Sequence, residues 1–218
     1  LAGDVDCKVG TVLAAGASCE FSITRWMEGD YSGPDHVNVF TAVAEDNDGT
    51  DATDDDDATV DFTNVLPTIL VTKTPSVASV PETGGDVTFA FTVQNTSSEE
   101  PVTILSLSDS VYGTLAGEVG VCEVGTVLAA GATCDFSITQ WVEGDFTGPD
   151  HYNKFTAVAE DNDGTDATDD DDATVDFTDV APTILVTKTP SVASVPETGG
   201  NVTFTFTVQN TSSEEPVT

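Results

Sequence analysis

The chain has 218 residues, with 39 acidic side chains against 5 Lys and Arg and a net charge of −34. That balance excludes nucleic acid as a natural partner, because phosphate binding needs clustered Lys and Arg, and it disfavours an anionic membrane surface. No apolar run approaches the roughly 18 residues of a membrane span, yet Val, Ile, Leu and Phe recur in strand-like patterns that a disordered acidic chain lacks.

The chain repeats itself. Thr68–Thr103 returns as Thr183–Thr218, with Asp86 replaced by Asn201 and Ala90 by Thr205. Cys7–Pro67 returns as Cys122–Pro182 with a few scattered changes, again 115 residues on. A period this long is one whole small domain. The expected division is 1–67, the C-terminal part of one repeat; 68–182, a complete repeat; and 183–218, the N-terminal part of the next. The chain starts and stops in mid-unit, which reads as a window on a longer array. The alternative is that the two partial units complete one domain between neighbouring chains by strand exchange.

Within the complete unit, alternation predicts strands at Ile69–Thr74, Val87–Val93, Val102–Leu107, Cys122–Leu128, Thr133–Trp141, His151–Glu160 and Ala173–Thr178. In the second of these, Val87, Phe89, Phe91 and Val93 share a face. The replacement of Ala90 by Thr205 marks the other face as solvent. In the sixth, Val37 and Val39 of the first copy become Tyr152 and Lys154, so Phe155, Ala157 and Ala159 face the core. In the seventh, Val175 and Phe177 point inward and Asp176 outward. Seven short strands in about 115 residues, with no helical period, predict an all-β fold of tandem immunoglobulin-like β-sandwich repeats. The run Phe177–Pro182 leads straight into the next unit and carries Pro in place of a Gly/Ser linker, which predicts a stiff array.

Each unit holds two cysteines, Cys7 and Cys19, then Cys122 and Cys134, twelve residues apart. Four cysteines allow three pairings; near-identical repeats favour pairing within each unit. Disulfides imply an extracellular or cell-surface location. Zinc is the weaker reading, since there is no CxxC and no paired His.

Two stretches carry a family likeness. TILVTKTPSVASVPETGGDVTFAFTVQNTSSEEPVTILSLSDSVYG and the closing FTAVAEDNDGTDATDDDDATVDFTDV resemble the Ig-like repeats of large bacterial surface proteins. There, an acidic hairpin loop lies between a strand and a final "ATV" strand. The resemblance covers essentially the whole repeat and implies an extracellular stalk, adhesin or fibre segment.

The candidate site is that acidic loop. Glu160, Asp161, Asp163, Asp166, Asp169, Asp170, Asp171 and Asp172 fall within thirteen residues. The first copy is identical: Glu45, Asp46, Asp48, Asp51, Asp54, Asp55, Asp56 and Asp57. Calcium (Ca2+) takes six to eight oxygen ligands in flexible geometry, and unneutralised acids between two pairing strands repel. The loop is therefore expected to bind calcium, although it is no EF-hand, lacking the closing Glu and the flanking helices. Sandwich topology places Glu99 and Glu100 at the same pole, and Glu82, Asp145 and Asp150 at the opposite pole, as additional candidates. Calcium then bridges successive repeats or neighbouring chains; both remain open. The competing readings are an adhesin arm binding a glycan or protein, and acids that serve salt tolerance alone. Self-association with identical repeats is the expected partnership. No catalytic constellation is present: His36 and His151 each follow Gly-Pro-Asp and suit a structural role.

Overall fold

A computed structural model describes residues 7–212 and 215–218. The chain is all-β, and divides into two compact units, Leu1–Asn64 and Val65–Thr218. In the first unit, β1 (His36–Glu45) and β2 (Asp51–Val60) form an antiparallel hairpin. The second unit runs β3 (Ile69–Pro75), β4 (Ser79–Pro81), β5 (Gly85–Asn95), β6 (Val102–Asp109), β7 (Gly113–Thr114), β8 (Gly117–Glu118), β9 (Cys122–Glu123), β10 (Val127–Leu128), β11 (Thr133–Val142), β12 (His151–Glu160) and β13 (Asp166–Thr178). A last hairpin pairs β14 (Ile184–Pro190) with β15 (Phe204–Asn210).

Two sheets enclose one core, the arrangement of a β-sandwich. One is ordered β10-β6-β12-β13-β4, with β7 on β6; the other is β11-β5-β3. The alternation that identified β5 also builds the core: Val87, Phe89, Phe91 and Val93 are each at most 1 % exposed. The opposite sheet supplies Ile104, Leu107, Phe155, Ala157, Val175 and Phe177. Phe91 lies between the sheets, 4.7 Å from Phe136 and 4.8 Å from Phe155, ring centre to ring centre. Offset and tilted pairs of this kind add to the burial of their area.

Both cysteine pairs close as expected, Cys7 with Cys19 and Cys122 with Cys134, with Cα atoms 5.2 and 5.3 Å apart. Cys122 is also a fully buried part of the core.

Three expectations need correction. The strand expected over Cys122–Leu128 is broken into β9 and β10 by a turn in which the Thr126 N–H bonds to the Glu123 carbonyl. Gly125 adopts φ 94° there, a conformation open to Gly and costly for other residues. The short strands β4, β7 and β8 escaped the alternation test because two or three residues carry no period. The third correction concerns the acidic segment: it is mostly strand, not loop. β13 starts at Asp166, not Ala173, so only Asp161–Thr165 is left as turn.

Candidate functional site: the acidic strand and the buried polar cluster

The turn is organised by its first carboxylate. Asp161 Oδ1 accepts the N–H groups of Asp163 at 2.9 Å and Thr165 at 2.8 Å, while the Asp161 N–H bonds to the Thr165 carbonyl. This side-chain mimicry of a turn is what Asp does best locally. Gly164 takes φ 81° to close the loop. The first copy builds the same turn around Asp46, whose Oδ1 accepts from Asp48 and Thr50 at 2.8 Å each. Those N–H groups, Thr50 first, hold the Asp46 carboxyl below its usual range. Asp161 is 5 % exposed, and its Oδ2 has no hydrogen-bond partner.

Beyond the turn, strand geometry separates the acids. Asp169 and Asp171 continue the inward row of Ala173, Val175 and Phe177, whereas Asp170 and Asp172 point outward. The inward pair reaches the edge of the other sheet. Asp169 Oδ2 accepts the Val71 N–H at 2.8 Å, and Asp171 Oδ2 accepts the Lys73 N–H at 2.7 Å. Without them, the free edge of β3 would present unpaired N–H groups. Outside, Asp170 lies 3.3 Å from the Lys154 ammonium, half exposed. The repulsion expected between the pairing strands is largely absent for a simple reason. Asp169–Asp172 face Ala157, Thr156, Phe155 and Lys154, and only Glu160 meets an acid, Asp166.

The sequence-predicted acids therefore separate into distinct roles. Asp169 and Asp171 serve as backbone acceptors; Asp166, Asp170 and Asp172 lie on the outer face; Asp161 organises the turn. In the first copy, Asp51, Asp54, Asp55, Asp56 and Asp57 lie on β2, again in strand instead of loop. Among the described residues, no three His, Cys, Asp or Glu side chains gather as a metal-holding group. Glu160 pairs with Thr103, which places the turn beside the loop carrying Glu99 and Glu100. At the other end, Glu82 Oε2 accepts the Phe146 N–H at 3.2 Å and Oε1 the Val180 N–H at 2.8 Å. The bond from Val180, then that from Phe146, lowers the Glu82 carboxyl pKa. Asp145 caps its own loop through Thr147, which lowers it likewise.

Sequence reasoning missed a second cluster. Lys73, Asp109 and Asn153 are 4 %, 5 % and 0 % exposed. Lys73 and Asp109 form a buried ion pair. Asn153 Nδ2 approaches Asp109 Oδ1 at 3.4 Å and Oδ2 at 3.3 Å. Burial pushes the Lys73 ammonium below its usual range, against the pull of Asp109. Burial also pushes the Asp109 carboxyl up, but Lys73 and the N–H groups of Val111 and Tyr112 outweigh it and hold it low. His151 borders the cluster, its Nε2 3.1 Å from the Tyr112 hydroxyl. The signal was parity: Lys73 shares the inward side of β3 with Val71, Asp109 that of β6 with Leu107, and Asn153 that of β12 with Phe155.

Family models give no match to this chain, and neither do curated proteins.

One further motif resolves. Asn95-Thr96-Ser97 has the form of a glycosylation acceptor. Its Asn95 is fully buried, donating to the carbonyls of Glu100, Leu128 and Ala129, so no sugar can be attached in the folded state.

Proposed function

We propose that this chain is a segment of an extracellular structural array of immunoglobulin-like repeats, forming a filament or rigid surface stalk. The observation that carries the reading is the Glu82 clamp. One carboxylate ties the Asp145–Gly148 turn and the connector that leaves β13, through Phe146 and Val180. A second tie runs from the Glu82 N–H to the Thr178 carbonyl. A connector bonded to its domain transmits direction from one repeat to the next, as a spacer requires and a flexible linker does not. Two disulfides in an all-β chain support an oxidising compartment. The test is small-angle scattering on an array of complete repeats. An extended particle that becomes more flexible in Glu82→Ala supports the reading. A particle equally flexible with and without Glu82 overturns it.

A calcium reading survives in narrower form, favoured by one observation: the buried, unpartnered Oδ2 of Asp161. Calcium needs several more oxygens than this one. Asp169 and Asp171 are committed to backbone N–H groups, so the reading moves to the Asp161–Thr165 turn and no longer includes the whole acidic run. Calcium titration under calorimetry, with magnesium and potassium chlorides as controls, decides it. A saturable, calcium-selective rise in Tm that Asp161→Asn abolishes supports a dedicated site. A rise of similar size with every salt removes it.

A further inference from the structure

Three chemically complementary side chains share the core of the complete unit. Lys73 comes from β3 in one sheet; Asp109 and Asn153 come from β6 and β12 in the other. The Asp109 carboxylate holds the Lys73 amine and the Asn153 carboxamide together, both within hydrogen-bond distance of Oδ2. Their surroundings are aromatic: Lys73 Nζ lies 5.1 Å from the Phe89 ring centre and 5.6 Å from that of Phe91. Asn153 Oδ1 is buried with no hydrogen-bond partner. A carboxamide with one unanswered oxygen, beside an amine and an acid in a dry core, is costly as a resting network. It is also the constellation that acyl transfer needs: a nucleophile, an electrophile and a proton carrier.

We propose that Lys73 and Asn153 join in a self-catalysed amide cross-link between Lys73 Nζ and Asn153 Cγ, with Asp109 carrying the protons. In the resting state the pair is ionic. Transfer of one proton from the ammonium to Asp109 removes both charges from the core, an exchange that desolvation favours. The Nζ lone pair then attacks Cγ while the Asp109 O–H donates to the developing oxyanion at Oδ1, the atom left without a donor at rest. The new nitrogen gives up its remaining extra proton through Asp109 to Nδ2. The Cγ–Nδ2 bond breaks and ammonia leaves. An amine and a carboxamide become a secondary amide and ammonia; nothing is oxidised or reduced, and no co-reactant is used. Exclusion of water from the core suppresses the competing hydrolysis of Asn153.

The bond would tie β3 directly to β12 and so staple the two sheets covalently, a useful property for a spacer under tension. The repeat keeps both partners: Lys188 occupies the position of Lys73, 4.4 Å from the Phe204 ring centre, and Asn38 that of Asn153. Only the complete unit of this chain holds all three residues, so a single link is expected.

Intact mass spectrometry of the folded, full-length chain tests this, with peptide mapping after digestion. The expected mass is that of the sequence, less the hydrogens of two disulfides and less one ammonia. A branched peptide should carry Lys73 joined to Asn153. Asp109→Ala, folded by circular dichroism, should show the mass of its own sequence less only the disulfide hydrogens, as should Asn153→Ala. Wild-type protein that is folded yet keeps the full mass after prolonged incubation overturns the proposal. So does an ammonia loss that maps to any other residue pair. Since the wild-type mass is decisive alone, a variant that fails to fold leaves the test intact.

Discussion

The backbone N–H of Lys73 donates to the carboxylate of Asp171, 98 residues away, at 2.7 Å. With its neighbour, Asp169 to Val71 at 2.8 Å, it forms a side-chain ladder where the two sheets have no backbone ladder. Acids that look like a solvated or metal-binding run in the sequence thus alternate between sealing the sandwich edge and facing solvent.

Asp171→Ala should unpair a half-buried N–H and cost about 1–3 kcal/mol of stability. Asp170→Ala, one residue earlier and outward, should change stability by less than about 1 kcal/mol, because it breaks only an exposed ion pair with Lys154. Urea denaturation of the two variants reads the contrast; equal effects would mean that the ladder contributes nothing.

Protonation of His151 should weaken the fold. Its pKa in the folded chain lies below 6.5, lowered first by burial and then by Lys73, with Asp109 opposing. The unfolded chain therefore takes up this proton at a higher pH than the folded one. The His151 contribution is therefore complete above 6.5 and is lost as pH falls through the folded value. Thermal melts from about pH 7.5 to about pH 5.5 should show Tm falling, with a shallower fall in His151→Gln.

Removing the Cys122–Cys134 bond by a double Ser substitution should cost very roughly 3 kcal/mol, from the entropy of the released loop, and more if the buried Cys122 site packs a hydroxyl poorly. Differential scanning calorimetry under oxidising conditions measures the loss directly.

Gly164→Ala should destabilise by about 1 kcal/mol. Space is no obstacle, since a Cβ there would meet nothing within 4 Å; the φ of +81° alone sets the cost. Gly144→Ala should be worse, because its Cβ would collide with the Phe177 ring. Chemical denaturation of both variants ranks the two causes.

The sequence alone determined the all-β class, the 115-residue period and the inward rows of β5, β12 and the end of β13, and it favoured the disulfide partners that form. These are local or repeated signals: a period of two along a strand, a self-match, a twelve-residue cysteine spacing. Two matters were decided only by the tertiary structure. The acidic run reads as a loop because Asp disfavours strands; it becomes a strand because β12 offers a partner free of facing acids from His151 to Ala159 and β3 offers N–H groups. The Lys73–Asp109–Asn153 cluster brings together residues 36 and 44 positions apart. Each stands alone as a polar residue at an inward position, a local violation of pattern. Only the closing of one sheet over the other turns three violations into one site.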